Sequence, residues 1–187
     1  LKIKIRRLFH VKQSPVVTIR VEGFIIMLFT ERDYYEDVVA MLNARGVELK
    51  DIAELVLFGQ RAIIPDLTMD DAIDSVQHVL HKTEVQDAVM TGLAIDDLAE
   101  AKQLPQPLQS RIDRDHGTYG IDEQLVMSIL GVYGTISWTN FGYLDRMKPG
   151  IVGSLNDEQH RGGRVNTFID DIVSAIAAAA QARIAHD

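Results

Sequence analysis

Between Thr167 and Ala185 the chain sets Ile169, Ile172, Val173 and Ile176 at helical spacing and then places alanine on every side. A helix without a broad polar face has to be covered by other elements, and small residues let those elements approach closely. This segment predicts the centre of a helical bundle. The fold class that follows is all-α, a single domain of about six or more helices around the Ala-rich C-terminal helix.

The remaining elements read as helices of ordinary length. Tyr34, Val38, Met41 and Leu42 share one stripe, and Gly46 is placed to end it. A short helix is expected over 48–58. After the Pro65 turn, Thr68 and Asp71 have capping-box spacing and open a helix with Met69, Ala72, Ile73, Val76, Val79 and Leu80 on its core face. A further helix covers 84–101, Pro105 and Pro107 break it, and 108–112 form a short amphipathic piece. Residues 121–147 read as two helices meeting near Gly131 to Gly134, with Pro149 stopping the second. Trp138, Phe141 and Tyr143 are expected in the core. β-branched alternation is nearly absent.

Composition excludes several classes of function. There is no cysteine, so disulfides, thiolate metal sites and phosphocysteine chemistry are ruled out, and a cytoplasmic protein fits best. The longest apolar runs, 24–29 and 175–180, fall far short of the roughly 18 residues that suggest a membrane span. The net charge of -8 is unevenly spread: residues 1–26 hold six bases and one acid, leaving 13 bases and 26 acids, a net of -13, over 27–187. Such a body repels polyanions, which argues against a nucleic-acid partner.

Residues 1–26 are expected to be an N-terminal extension and 27–187 the helical domain. The opening alternation of Lys2, Lys4, Arg6, Arg7 and Lys12 with apolar residues suits a disordered tail or a basic arm that touches lipid headgroups. A third reading starts translation at Met27. The chain begins with Leu, and Val21-Glu22-Gly23 can be encoded by a purine-rich stretch a few codons upstream of that methionine.

Acids concentrate in the last third: Asp115, Asp122 and Glu123, Asp145 with Lys148, then Asp170 and Asp171. Each pair alone is explained by the helix dipole or by a cap, and Thr167 with Asp170 also has capping-box spacing. Together they present a conflict, because Asp122-Glu123 and Asp170-Asp171 begin helices that must pack against one another. Two carboxylates 4 Å apart repel by about 4 kcal/mol at an effective dielectric of 20, and several such pairs rival a domain's whole stability of roughly 5–15 kcal/mol. A bound cation resolves this. Oxygen ligands without thiolates suit a hard ion, and Mg2+ fits phosphate chemistry.

The segment Asp115-His116-Gly117-Thr118-Tyr119-Gly120-Ile121-Asp122-Glu123 resembles the signature of the phosphatidylglycerophosphatase A family. Two further blocks are similar in the same order: Phe141 to Pro149 with Asp145, Lys148 and Pro149, and the Asp170-Asp171-Ile172 start of the final helix. The typical membrane-bound members carry hydrophobic spans and an N-terminal Gly-Thr-x-Gly-Ser segment, both missing here, so the chain resembles the small soluble branch.

That resemblance implies Mg2+-dependent removal of the terminal phosphate of phosphatidylglycerophosphate. It makes Asp115, Asp122, Glu123, Asp145, Asp170 and Asp171 the metal candidates, with Asp122 and Asp171 also catalytic. His116 is the leaving-group acid, Lys148 is both catalytic and phosphate-binding, and Arg161 and Arg164 help to hold the phosphate. Direct attack by water is the first expectation, and an aspartyl-phosphate stays open. So do a soluble phosphate ester as substrate, peripheral contact with a membrane, a homo-oligomer, and a silent module whose acids merely hold a cation between helices.

Overall fold

The structure, a computed structural model, describes residues 16–21, 24–29, 32–114 and 117–186. Its first elements are strands β1 (Val16–Val21) and β2 (Phe24–Phe29), paired antiparallel with Val16 opposite Phe29 and Val21 opposite Phe24. Apart from Arg20, both runs are β-branched or apolar, and pairing satisfies the backbone groups of one with those of the other. The strands fall in one compact unit, Leu1–Tyr34, and the helices in another, Tyr35–Asp187. The basic residues Lys2, Lys4, Arg6, Arg7 and Lys12 lie outside the described residues.

The second unit is all-helical among the described residues. It begins with α1 (Tyr35–Ala44), α2 (Leu49–Gln60) and α3 (Met69–Leu80), each within a residue or two of its expected place. The Thr68 cap forms as its sequence predicts: the Asp71 N–H donates to the Thr68 hydroxyl at 3.2 Å, and the Thr68 N–H donates to the Asp71 carboxylate at 3.1 Å. Next come α4 (Thr83–Glu100), α5 (Leu108–Asp113), α6 (Ile121–Tyr133) and α7 (Thr135–Met147). An unexpected helix, α8 (Gly150–His160), starts immediately after Pro149. Pro149 follows the end of α7 at Met147, as the sequence predicts, and it also precedes the first residue of α8, where its φ of -71° is unstrained.

The last helix, α9 (Ile169–His186), has no solvent face from Ile169 to Ala182. It touches α2, α3, α4, α6, α7 and α8, which makes it the axis that its alanines predict. Ile169, Ile172, Val173 and Ile176 are fully buried, each contributing about 1.5–3 kcal/mol from apolar burial. Polar atoms on this axis are paired. Ser174 donates to the Asp170 carbonyl at 2.8 Å, Gln181 donates to the Leu55 carbonyl at 2.9 Å, and the Ala180 carbonyl accepts from Ser75 at 3.0 Å.

Close approach has a visible cause at Gly92 of α4. A Cβ there would lie 2.5 Å from Ile172 Cδ1 and 3.1 Å from Phe168 Cβ, so the absent side chain lets α4 rest on the start of α9. The aromatic expectation is met in part. Phe141 is buried, whereas Trp138 and Tyr143 are about half exposed, because α7 packs inward through Ser137, Phe141 and Leu144 and the other two sit on its outer face. Tyr143 instead stacks on Phe58, with ring centroids 6.0 Å apart.

Candidate functional site

The first turn of α9 is fixed from α4. Asp96 is fully buried, and its carboxylate accepts the Phe168 N–H at 3.1 Å and the Ile169 N–H at 3.1 Å. A carboxyl group at this point satisfies donors that the helix leaves unpaired. The Thr167–Asp170 capping box that the spacing suggested does not form. Thr167 donates its hydroxyl to the Ile112 carbonyl at 3.0 Å, and an Asp170 oxygen accepts the Asp171 N–H at 3.0 Å. Arg45 secures the approach to α9: it pairs with Asp97 at 2.9 Å and Glu100 at 3.2 Å, and donates to the Val165 carbonyl and the Asn166 side chain.

On this anchored turn Asp170 and Asp171 are both buried. Lys148 joins them from the end of α7, its ammonium 3.0 Å from Asp145 and 3.0 Å from Asp170. The backbone of Lys148 is left-handed, at φ 45° and ψ 52°, and its N–H donates to the Leu144 carbonyl at 2.7 Å. A non-glycine residue there is uncommon and marks a turn that its surroundings hold in place. Those surroundings include Gly153 of α8, where a Cβ would lie 2.5 Å from the Lys148 carbonyl oxygen. The turn that aims the lysine at Asp170 therefore needs a glycine five residues later.

These groups share one cavity of about 370 Å3. Asp122 and Glu123 from α6, Asp145 and Lys148 from α7, and Asp170 and Asp171 from α9 line it. Gly117, Gly120, Thr167 and two residues of α8, Asn156 and His160, complete the wall. The acids singled out in the sequence between 122 and 171 are thus brought together. Asp115 and His116 lie outside the described residues. Arg161 and Arg164 do not line this cavity. Arg161 is exposed and pairs with Asp157 at 2.9 Å, and Arg164 pairs with Glu158 at 3.0 Å, so each guanidinium is engaged by a carboxylate of α8 instead.

Electrostatics follow from burial and crowding. Asp171 is pushed well above the usual carboxylate range by its burial and by Asp170, Asp122 and Asp145, and Lys148 offsets only part of this. Asp96 rises to about 8 because burial outweighs the hydrogen bond from Phe168 and the attraction of Arg45. Burial works against the charged form of Lys148, but Asp170 and Asp145 overcome it and hold the ammonium more firmly protonated than an ordinary lysine.

A hard cation takes oxygen donors. The acidic groups of the cavity, Asp122, Glu123, Asp145, Asp170 and Asp171, offer carboxylate oxygens, the chemistry that Mg2+ takes. Among the described residues no three Asp, Glu or His groups stand close enough to enclose one ion, and Lys148 bridges Asp145 and Asp170. Mg2+ needs no such cage, since it binds through one or two carboxylates, waters and a substrate phosphate. The residues fit the ion.

Sequence reasoning missed Asn156, His160 and Asp96. The first two lie on the unassigned α8, one turn apart, and the third is far along the chain from the motif it supports.

A central helix entering an acid-lined cleft, with one lysine locked between two carboxylates, defines the class: an all-helical protein with a carboxylate-lined cavity. Residues 38–186 match the family Phosphatidylglycerophosphatase A, and the chain belongs to that family. The uncharacterized protein YutG of Bacillus subtilis (strain 168) is 51% identical over 147 residues, which span 79% of this chain and 87% of YutG. A structure titled as a protein of unknown function from Bacillus stearothermophilus is 50% identical with a TM-score of 0.80, covering 83% of this chain and 96% of that one. The low temperature requirement C protein from Listeria monocytogenes is 51% identical, also at a TM-score of 0.80, covering 84% of this chain and 98% of its own. No helix among the described residues is long and apolar enough to cross a membrane.

Proposed function

We propose that this chain is a Mg2+-dependent phosphomonoesterase that removes the terminal phosphate of a phosphatidylglycerophosphate-type ester and leaves the alcohol. The observation that supports it best is the convergence of Asp122, Asp145, Asp170, Asp171 and Lys148 on one cavity, in a chain of the phosphatidylglycerophosphatase A family.

One or two carboxylates among Asp122, Glu123, Asp145, Asp170 and Asp171 would hold the ion. When bound, Mg2+ would neutralise phosphoryl charge and lower the pKa of a water. Lys148 remains a cation at all working pH values and screens the carboxylates from the incoming phosphate. The Asp171 carboxylate, ionised once the ion is bound, would take a proton from the attacking water. Asp96 takes no direct part; it holds the backbone from which Asp170 and Asp171 project.

Phosphate release by purified full-length protein, with and without Mg2+, tests this. Turnover that appears with Mg2+ and disappears with a chelator supports the proposal. A rise in melting temperature with Mg2+ but no turnover from any ester would instead identify a bundle that a cation merely staples.

A further inference from the structure

An ester of an ordinary alcohol is hard to cleave because its oxygen leaves with the electron pair of the broken P–O bond and needs a proton to become a stable product. Few groups of the cavity can deliver one. Lys148 is engaged by Asp145 and Asp170 at 3.0 Å each and is held more firmly protonated than an ordinary lysine, so it gives up a proton poorly. The carboxylates of Asp122, Glu123, Asp145, Asp170 and Asp171 are the candidates for the ion and for accepting the proton of the attacking water. Thr167 already donates its hydroxyl to the Ile112 carbonyl at 3.0 Å and accepts from Gln159 at 2.7 Å. The Asn156 amide offers hydrogen bonds but no acid proton. What remains is His160, the one imidazole that lines the cavity among the described residues.

The ring of His160 is also fixed in the way a proton donor needs. It ends α8, and its Nδ1 lies 3.0 Å from the Asn156 carbonyl one turn back. A carbonyl oxygen only accepts, so Nδ1 carries a hydrogen in this contact whether the ring is neutral or charged. The proton that comes and goes is therefore the one on Nε2, and the same contact restrains the orientation of the ring. The side chain is exposed, so solvent can return the proton after each turnover.

We propose, resting on the phosphomonoesterase reading, that His160 is the leaving-group acid of this cavity. As the P–O bond breaks, its electron pair passes to the ester oxygen, which takes the Nε2 proton of the imidazolium and departs as the alcohol. Attack by water forms the new P–O bond, and the water's proton goes to Asp171. The ring is left neutral and recovers its proton from solvent, so each cycle consumes one water and yields inorganic phosphate and the alcohol. The family resemblance gives this role to His116, which lies outside the described residues. The two assignments predict different variants to fail.

The probes are dihexanoyl phosphatidylglycerophosphate and its analogue in which sulfur replaces the bridging oxygen of the scissile bond. The pair has nearly the same shape, but a thiolate leaves without help from an acid. Steady-state kcat with Mg2+ is measured for both on the full chain. His160→Gln is expected to lower kcat on the oxygen ester by about a hundredfold or more and to leave the sulfur ester within about threefold of the parent. A loss of similar size on both esters marks a structural effect and overturns the inference, as does an unaltered kcat on the oxygen ester. A selective loss in His116→Gln with none in His160→Gln overturns it too. If the parent releases phosphate from neither ester, the phosphomonoesterase reading falls and this inference with it, whereas parent turnover with an unselective loss removes the inference alone. A second readout needs no turnover: proton–nitrogen correlation spectra of the metal-free full chain, recorded where the ring is neutral. They are expected to place the ring proton on Nδ1, in signals assigned by their disappearance in His160→Gln. A neutral ring with its proton on Nε2 overturns the proposal.

Discussion

The ammonium of Lys148 stands 3.0 Å from the Asp170 carboxylate, although the two residues are 22 positions apart and on different helices. This contact ties the end of α7 to the first turn of the central helix, and it makes the lysine the countercharge of the cleft until another cation arrives.

Asp170→Asn removes a carboxylate charge while keeping the side chain's size. We expect kcat/KM for phosphate release to fall on the order of a thousandfold, with the far-ultraviolet circular dichroism unchanged. Undiminished turnover would contradict the assignment of this residue.

Lys148→Met leaves Asp145 and Asp170 without their shared partner. Activity should drop by about a hundredfold or more, and the metal-free variant should melt below the parent. Added Mg2+ should recover more of the melting temperature in the variant than in the parent, since the ion then relieves repulsion that lysine no longer relieves. Thermal melts across a Mg2+ series decide this.

Asp96 carries a pH signature. Its pKa is raised in the fold from 3.8 to about 8. Between those values the folded chain holds a proton that the unfolded chain has lost, so this residue makes stability fall as pH rises through that window. Asp96→Asn cannot ionise, so the decline in melting temperature from about pH 5 to about pH 8 should be shallower than in the parent. Melting curves over a pH series check the slope.

Gly92→Val would push a side chain into Ile172 and Phe168. The expected loss is about 1–3 kcal/mol of stability, measured by denaturant unfolding. A smaller loss in Gly131→Val, where a Cβ would meet nothing within 4 Å, separates the packing clash from any general effect of placing valine in a helix.

Much of this arrangement is legible without coordinates. The all-round burial of α9 follows from a segment with no polar stripe, and the Thr68 cap from two residues at the right spacing. The cleft acids between Asp122 and Asp171 are readable for a different reason: they begin or end helices that have to meet, so their convergence is implied by packing. Arg161 and Arg164 were misplaced because a positive side chain beside a motif does not reveal which carboxylate has already captured it; here Asp157 and Glu158 do so within the same short stretch. Asp96 was invisible because the hydrogen bonds that explain it join positions more than seventy residues apart. Helix α8 was lost to two glycines and a proline, residues that lower helix propensity locally while the turn around Lys148 demands them. The strand pair is masked by the helical pattern of the rest of the chain, although two runs that are β-branched or apolar apart from Arg20, separated by Glu22-Gly23, carry its signal.

The burial of α9 on every side bears on how activity is lost. Asp170 and Asp171 are carried by the segment least able to fray, whose amide protons should be among the last to exchange with solvent. Heat or denaturant therefore has little scope to disarm the cleft while sparing the rest of the bundle. Inactivation and global unfolding should follow a single curve.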